Sequence, residues 1–255
     1  MLLKKSASLL TILAMAMSVG SATAANLLVD DFSNLGTLPS PATTNVWNVG
    51  GISNIHGGTR EQNKAGTGTT YSNAGGHLRM STTGTGTGAS WDIIYDGVLG
   101  ANPLLSPAFT SFPNPSPGPI NASGMTYLNV LMPQVASGGT GTTATNRPAI
   151  IATIKWSNTP TGSLITSTRE LKLTDYANGG YSFKLSEFTA AVGNPANIRG
   201  IKIRLQGLVR NSATSPGVTE FDRLFFATSP LPEPGTFALA AMGLVGLVVA
   251  RRKMR

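Results

Sequence analysis

Apolar and polar residues alternate with a period of two in several stretches of this 255-residue chain. Successive side chains of a β-strand point to opposite faces, so this period predicts antiparallel strands that cover a core on one side. The clearest such stretches are residues 150–156, 170–174, 181–186 and 201–206, and further strands are predicted over 27–32, 77–81, 90–95, 125–132 and 219–227. Gly- and Pro-rich turns separate them, with no long amphipathic helical pattern between. The prediction is an all-β fold, an antiparallel β-sandwich.

The N-terminal residues 1–24 have the three-part layout of a secretory signal peptide. Two lysines precede a mostly apolar stretch over 6–20, and the small residues Ala22 and Ala24 stand at the positions that signal peptidase reads. We therefore expect cleavage after Ala24. The alternative is an uncleaved N-terminal anchor.

The last 24 residues combine three features in order. A Pro-Glu-Pro triplet is followed by the uncharged run 235–250 and by a basic end. The triplet is Pro232, Glu233 and Pro234, and the basic residues are Arg251, Arg252, Lys253 and Arg255. At 1.5 Å per residue the uncharged run reaches about 24 Å, short of a hydrocarbon core of about 30 Å. It predicts a marginal transmembrane helix with its basic end in the cytoplasm.

This tail closely resembles the PEP-CTERM sorting signal, in the triplet, the small-residue-rich apolar run and the basic end. The resemblance covers residues 232–255 and implies recognition by a membrane exosortase. It also implies transient anchoring in the inner membrane, cleavage near the triplet, and release to the cell surface or into an exopolysaccharide matrix. The alternative is a plain C-terminal anchor. The resemblance says nothing about the function of residues 25–231, which we treat as one domain.

Charge and cysteine content narrow the function of that domain. The two ends hold 6 of the 19 basic residues and 1 of the 11 acidic residues, which leaves the body with a net charge of only +3. This weak balance argues against a nucleic-acid partner, which requires a concentrated basic patch. The chain has no cysteine and two histidines, so disulfides and thiolate zinc sites are excluded and a histidine zinc site is not expected.

Parts of the body resemble the galactose-binding-like jelly rolls of carbohydrate-binding modules. The residues that carry this resemblance are 29–32, 181–188, 198–205 and 220–226. The resemblance implies a non-catalytic sugar-binding sandwich, with a structural Ca²⁺ where the first and last strands are neighbours. Carboxylates are the ligands that calcium prefers. The candidates are Asp30, Asp31 and Asp222, and the alternative is that these acids are exposed or pair with Arg223.

Sugar binding would need aromatic faces to stack on rings and polar neighbours to bond hydroxyl groups. The predicted ligand-binding residues are Trp47, Arg60, Glu61, Tyr71, Trp91 and Tyr95. The alternative for Trp91 is a core position, because it shares a strand face with Ile93 and Tyr95. A second candidate surface is the basic side of the strands, which carries Lys155, Lys172, Lys184, Lys202 and Arg204. If these strands are neighbours, that surface could hold an acidic polysaccharide; otherwise it is a solvated face.

Evidence for catalysis is weak. Asp92 and Asp96 are the nearest pair of acids on one strand face, and no Gly-x-Ser-x-Gly nucleophile motif occurs. We therefore expect a non-catalytic surface or matrix protein associated with exopolysaccharide. The alternatives are a purely structural surface protein and a glycan-active enzyme.

Overall fold

The computed structural model describes most of the body but neither end of the chain. The described residues are 26–33, 46–50, 55–66, 68–74, 77–84, 88–96, 119–140, 142, 147–159, 162–212 and 214–231. The predicted signal peptide and the predicted transmembrane helix lie outside these ranges. Within them, the regular structure consists of β-strands and three-residue 3-10 turns, and no helix there has the length and apolar character needed to cross a membrane.

Fourteen described strands and four 3-10 turns follow one another along the chain. The strands are β1 (Leu27–Asp30), β2 (Val46–Gly50), β3 (Thr59–Ala65), β4 (Thr70–Ala74), β5 (His77–Thr82), β6 (Ala89–Tyr95), β7 (Tyr127–Leu131), β8 (Ser137–Gly138), β9 (Ala149–Trp156), β10 (Ile165–Lys172), β11 (Gly180–Lys184), β12 (Ile198–Val209), β13 (Gly217–Phe221) and β14 (Arg223–Ala227). The turns cover His56–Gly58, Leu173–Asp175, Leu185–Glu187 and Pro195–Asn197.

The strands form three antiparallel sheets around one core. The four-stranded sheet has the order β1-β14-β7-β11, and the three-stranded sheet has the order β13-β5-β4. The seven-stranded sheet has the order β10-β9-β12-β6-β3-β2, with β8 on β12. The buried apolar cluster draws residues from all three sheets, and Trp91 of the seven-stranded sheet meets Phe221 of the three-stranded sheet edge-on at 4.9 Å. This arrangement confirms an all-β, sandwich-like fold.

The period-two pattern correctly identifies the inner faces of β9 and β12. Ile203 pairs with Ala152 on one side and with Ile93 on the other, and all three side chains are buried. The polar residues between them lie on the opposite face. Hydrophobic burial on one side is therefore consistent with the place of β9 and β12 inside the seven-stranded sheet rather than at its edge.

The single strand predicted over 219–227 is wrong. The chain divides at Asp222 into β13, which joins the three-stranded sheet, and β14, which joins the four-stranded sheet. The Asp222 N–H donates to the Leu131 carbonyl at 3.0 Å, across this break. Phe221 and Leu224 are both buried in the core, although they lie on different sheets. The apolar pattern of the sequence therefore continues across Asp222 and does not show that one strand ends there and another begins.

The hairpin connection predicted at Asn178-Gly179-Gly180 is correct as a turn and wrong as a pairing. Asn178 and Gly179 both have left-handed φ angles, 59° and 77°, and Ala177 bridges to Gly180. These angles are typical of the tight turns that join paired strands. However, β10 pairs with β9, whereas β11 pairs with β7 in a different sheet.

Candidate functional site

A polar cluster lies on the outer face of the seven-stranded sheet, across β3, β6, β12 and β9. Trp91, Ile93 and Tyr95 of β6 point into the core, so Asp92 lies on the opposite face. Its strand partners are Asn63 of β3 and Arg204 of β12. We define the outer cluster as Glu61, Asn63, Asp92, Asp96, Lys155, Lys202 and Arg204.

Strand pairing assembles this cluster from segments far apart in sequence. Ile94 is two residues after Asp92 and lies on the same face of β6. It pairs with Glu61 on one side and with Lys202 on the other. Lys202 in turn pairs with Thr153 of β9, two residues before Lys155. Four strands thus place carboxylate, amide and ammonium groups on one face of the sheet, where Glu61 and Asp96 are each only 1% exposed.

The central pair of the cluster retains unused hydrogen-bonding capacity. Arg204 Nη1 lies 3.7 Å from Asp92 Oδ2, an ion pair whose side chains are 34% and 16% exposed. Asp92 Oδ1 and Arg204 Nε are both buried, and neither has a hydrogen-bond partner in the described structure. Because an unsatisfied buried polar atom is costly, this geometry suits an additional polar partner.

Burial also shifts the pKa values of two charged groups in the cluster. Burial raises the pKa of Asp92, and the nearby Arg204 and Lys202 oppose this rise. Burial lowers the pKa of Lys155; Asp96 opposes this change, and Lys202 adds to it. The outer face therefore has mixed charge. Of the predicted basic surface, Lys172 lies on the seven-stranded sheet with Lys155, Lys202 and Arg204, whereas Lys184 belongs to the four-stranded sheet.

The predicted aromatic ligand-binding residues lie mostly in the core. Tyr71 is 2% exposed, and Trp91 and Tyr95 are 0% exposed. Tyr71 packs on Trp91 with 6.0 Å between ring centroids. Trp47 pairs with Gln62 in the ladder of β2 and β3, and its side chain lies outside the described part. Contact between these four residues and a ligand stays a prediction.

The two predicted polar ligand-binding residues, Arg60 and Glu61, face opposite sides of β3. Glu61 belongs to the outer cluster, although its side chain is almost fully buried. Arg60 points inward and forms a buried ion pair with Asp30, with 2.7 Å between Nη1 and Oδ2 and both side chains 0% exposed. A ligand role for either residue stays a prediction.

The carboxylate of Asp30 is surrounded by protein donors. Tyr95 Oη donates to Oδ2 at 2.9 Å, and the Phe32 N–H donates to Oδ1 at 2.7 Å. The Arg60 guanidinium also lies 5.0 Å from the centre of the Phe32 ring. Burial raises the pKa of Asp30, and the charge of Arg60 opposes this rise.

The predicted calcium ligands are spread over different contacts. As expected, β1 and β14 are neighbours. Asp31 Oδ1 accepts from the Ser33 N–H at 3.0 Å, and Asp222 Oδ1 lies 3.2 Å from His77 Nδ1. Among the described residues, no group of three or more His, Asp or Glu side chains is placed to hold a metal ion. A calcium site stays a prediction.

A pocket lies apart from the outer cluster, beside β8 and the end of β10. This pocket of about 510 Å³ is lined by residues 135–139, Pro148, residues 172–174 and Tyr176. Tyr176 closes one side, where its hydroxyl donates to the Met132 carbonyl at 2.6 Å. The sequence pattern did not predict this pocket.

Comparison with solved structures returns carbohydrate-binding modules. A family 11 carbohydrate-binding module from Clostridium thermocellum, in complex with a β-1,3-1,4-mixed-linked tetrasaccharide, is 13% identical with a TM-score of 0.37, and the match covers 83% of this chain and 100% of that chain. A second match, from work on promiscuous carbohydrate-binding modules of the β-sandwich superfamily, is 12% identical with a TM-score of 0.35, over 81% of this chain and 63% of that chain. Similarity this low identifies no ligand for this chain.

Sequence comparison gives information about the tail alone. None of the curated proteins compared with the chain matches it. The model of the PEP-CTERM protein-sorting motif matches residues 230–253, which include the Pro-Glu-Pro triplet and most of the basic end. The chain therefore carries a PEP-CTERM sorting motif, which implies export and a location at the cell surface.

Proposed function

We propose that this chain is an exported surface or matrix protein that an exosortase-type enzyme processes at its C-terminal end. The observation that carries this proposal is the sorting motif at residues 230–253. In this proposal, the signal peptide takes the chain through the inner membrane and signal peptidase removes it after Ala24. The apolar tail holds the chain transiently at the membrane, and processing near the triplet 232–234 then frees or transfers the folded body.

Substitution of the triplet tests this step. In host cells, pulse-labelled wild-type chain should convert to a shorter form and leave the membrane fraction. A chain with alanine at Pro232, Glu233 and Pro234 should stay at the larger size in the membrane fraction. Equal conversion of the two chains would contradict processing at this motif.

We further propose that the body is non-catalytic and binds exopolysaccharide through the outer cluster. Sugar hydroxyl groups both donate and accept hydrogen bonds. The Asp92 carboxylate can accept such a bond and the Arg204 guanidinium can donate one, because their side chains are 16% and 34% exposed. Hydrogen bonds to charged groups are among the stronger ones, and they contribute about 1.5–3 kcal/mol each.

The spacing of Asp92, on β6, and Asp96, one residue past its end, gives no support to glycoside hydrolysis. Asp92 and Asp96 are four residues apart, which places their Cα atoms about 13 Å apart along an extended strand. Glycosidases place their two catalytic carboxyl groups about 5–9.5 Å apart. Strand spacing alone therefore does not bring this pair to the separation that glycosidases use.

Affinity electrophoresis in gels that contain exopolysaccharide from host cells tests the binding proposal. The wild-type chain should be retarded, and the double variant Asp92→Asn/Arg204→Gln should bind about tenfold more weakly, because one strong hydrogen bond contributes about this factor. The matched control is Lys184→Gln, which removes one charge from the four-stranded sheet and leaves the outer cluster intact. This variant should migrate like the wild type. Equal retardation of all three proteins would place binding elsewhere. No retardation of any of them would support the purely structural alternative, and release of reducing ends by the wild type would support the enzyme.

A further inference from the structure

The chain after β14 folds back over the outer face of the four-stranded sheet. We call residues 228–231 the return segment. Phe225, Asn129 and Ser182 form one cross-strand row on this face, opposite the core residues of their strands. Although this is the outer side of the sheet, Asn129 is 1% exposed and Phe225 is 9% exposed. The outer face is therefore covered at these positions.

Two side chains of the sheet and one of the turn before β11 hold the backbone of the return segment. The Leu231 N–H donates to Ser182 Oγ at 2.9 Å, and Asn178 Nδ2 donates to the Leu231 carbonyl at 3.3 Å. Asn129 Nδ2 donates to the Ser229 carbonyl at 3.1 Å. Residues 229 and 231 are thus bound to β7, to β11 and to the turn that precedes β11.

An apolar contact adds to these hydrogen bonds. Leu231 is 6% exposed and packs with Phe225 and Ala227 in a small cluster separate from the main core, with Leu131 beside it. A Cβ atom at Gly180 would lie 2.8 Å from Leu231 Cδ1. The glycine at the start of β11 therefore leaves the space that the leucine side chain occupies.

The return segment moves the point at which the chain leaves the sheet. β14 ends beside the start of β1, where Phe226 pairs with Leu27 and with Leu128. Leu231 lies over Gly180, which pairs with Leu131 at the other end of β7. Leu128 and Leu131 are three residues apart, so the exit is displaced by about 10 Å along the sheet.

The same segment overlaps the sorting motif, whose match begins at Pro230. The buried, hydrogen-bonded Leu231 directly precedes Pro232 in the sequence, with no spacer between the folded body and the triplet. We propose that the return segment is a latch that holds the N-terminal side of the sorting motif against the sandwich, so that processing requires its release. This inference rests on the proposed function and adds a regulatory step to it.

The strength of the latch follows from its contacts. A processing enzyme has to accommodate backbone on both sides of the bond that it cleaves, and the backbone of residues 229 and 231 is already hydrogen-bonded to the sheet. One intramolecular hydrogen bond shifts an opening equilibrium by about two- to tenfold. If opening precedes cleavage, weakening the latch raises the rate of processing by the same factor.

The experiment compares full-length chains in host cells and in detergent micelles. The test variant is Asn178→Gly/Ser182→Ala, because glycine keeps the left-handed turn conformation while the two side-chain contacts to Leu231 are lost. The matched control is Asn158→Gly/Ser90→Ala, in an exposed loop and on β6 of the seven-stranded sheet. Pulse-chase labelling gives the rate of conversion to the shorter form, and hydrogen exchange in micelles gives the protection of the Leu231 amide.

The latch predicts a protected Leu231 amide in the wild type and in the control. In the test variant, exchange of this amide and conversion to the shorter form should both accelerate by about tenfold. Faster exchange with an unchanged or slower conversion rate would overturn the latch. If no chain is converted to the shorter form, the sorting proposal fails, and the hydrogen-exchange rate of the Leu231 amide alone tests the latch. A wild-type Leu231 amide that exchanges as fast as an unprotected amide would overturn the latch.

Discussion

Two parts of the same inner sheet face are built in opposite ways. On β9, the inward residues Ile150, Ala152 and Ile154 are all 0% exposed hydrocarbon. On β3, the inward residues are Arg60, Gln62 and Lys64, which are 0%, 0% and 1% exposed. We call these the apolar part and the polar part. Both are equally buried, so burial alone does not determine which residue types a strand of this sandwich presents to its core.

The difference lies in what each part requires of its neighbours. Hydrocarbon side chains need only complementary volume, whereas buried polar groups need specific partners. Arg60 has Asp30 as its ion-pair partner. Lys64 Nζ donates to the Thr69 carbonyl at 3.0 Å and lies 5.0 Å from the centre of the Tyr71 ring. The stability of the polar part therefore depends on specific polar partners, whereas that of the apolar part depends on packing. Substitutions in the two parts test this difference.

The largest effect is expected at the buried ion pair. Arg60→Met should lower the free energy of unfolding by about 3–5 kcal/mol, because it leaves the Asp30 carboxylate buried without its counter-charge. Arg60→Met/Asp30→Asn should recover most of this loss, since both charges are then absent. Urea unfolding of the three proteins measures both values. A double variant no more stable than Arg60→Met would show that the partners do not act as a pair.

A smaller effect of opposite sign is expected at Gln62. Neither polar atom of its side-chain amide has a hydrogen-bond partner in the described structure. Gln62→Leu should raise the free energy of unfolding by about 1 kcal/mol, because it removes two unsatisfied buried atoms. The matched change in the apolar part, Ile154→Val, should lower it by about 1 kcal/mol. A clear loss of stability in Gln62→Leu would instead indicate that bound water satisfies the amide.

The smallest effect is a pH dependence at Lys64. Burial lowers the pKa of its ammonium group below the ordinary value of 10.5. Between the folded and the unfolded pKa, the unfolded state binds more protons, so stability rises with pH in this window. The wild type should therefore gain stability relative to Lys64→Met as pH rises toward 10.5. Unfolding curves of both proteins measured between pH 7 and 10.5 check this, and parallel pH profiles would contradict it.

The alternation of residue types predicts the apolar part well and misses the polar part. β9, β11 and β12 follow from their buried apolar rows. β3 has no such row, since its inward side chains are those that the usual pattern assigns to solvent. Their burial depends on an ion pair with β1 and on contacts with β4, and these contacts join segments far apart in sequence. For the same reason, Arg60 is a reasonable surface candidate from sequence and a core residue in the structure.

The candidate site was only partly predictable. The sequence identifies Glu61 as a predicted ligand-binding residue and Asp92 and Asp96 as the nearest pair of acids, and all three belong to the outer cluster. Asn63 was missed, because it lies on the strand without an apolar pattern. The return segment was missed as well. It has no regular structure, and the side chains that hold it come from β7, β11 and the turn before β11.

The pairing of β1 with β14 has a kinetic consequence. Leu27 meets Phe226, so the first and last strands of the body must find each other across almost its whole length. Contacts between residues so distant in sequence slow folding. A chain that crosses a membrane with its N-terminus first cannot close this sheet until its final strand has emerged. If this chain is exported in that direction, the pairing of β1 with β14 is therefore among the last parts of the fold to form.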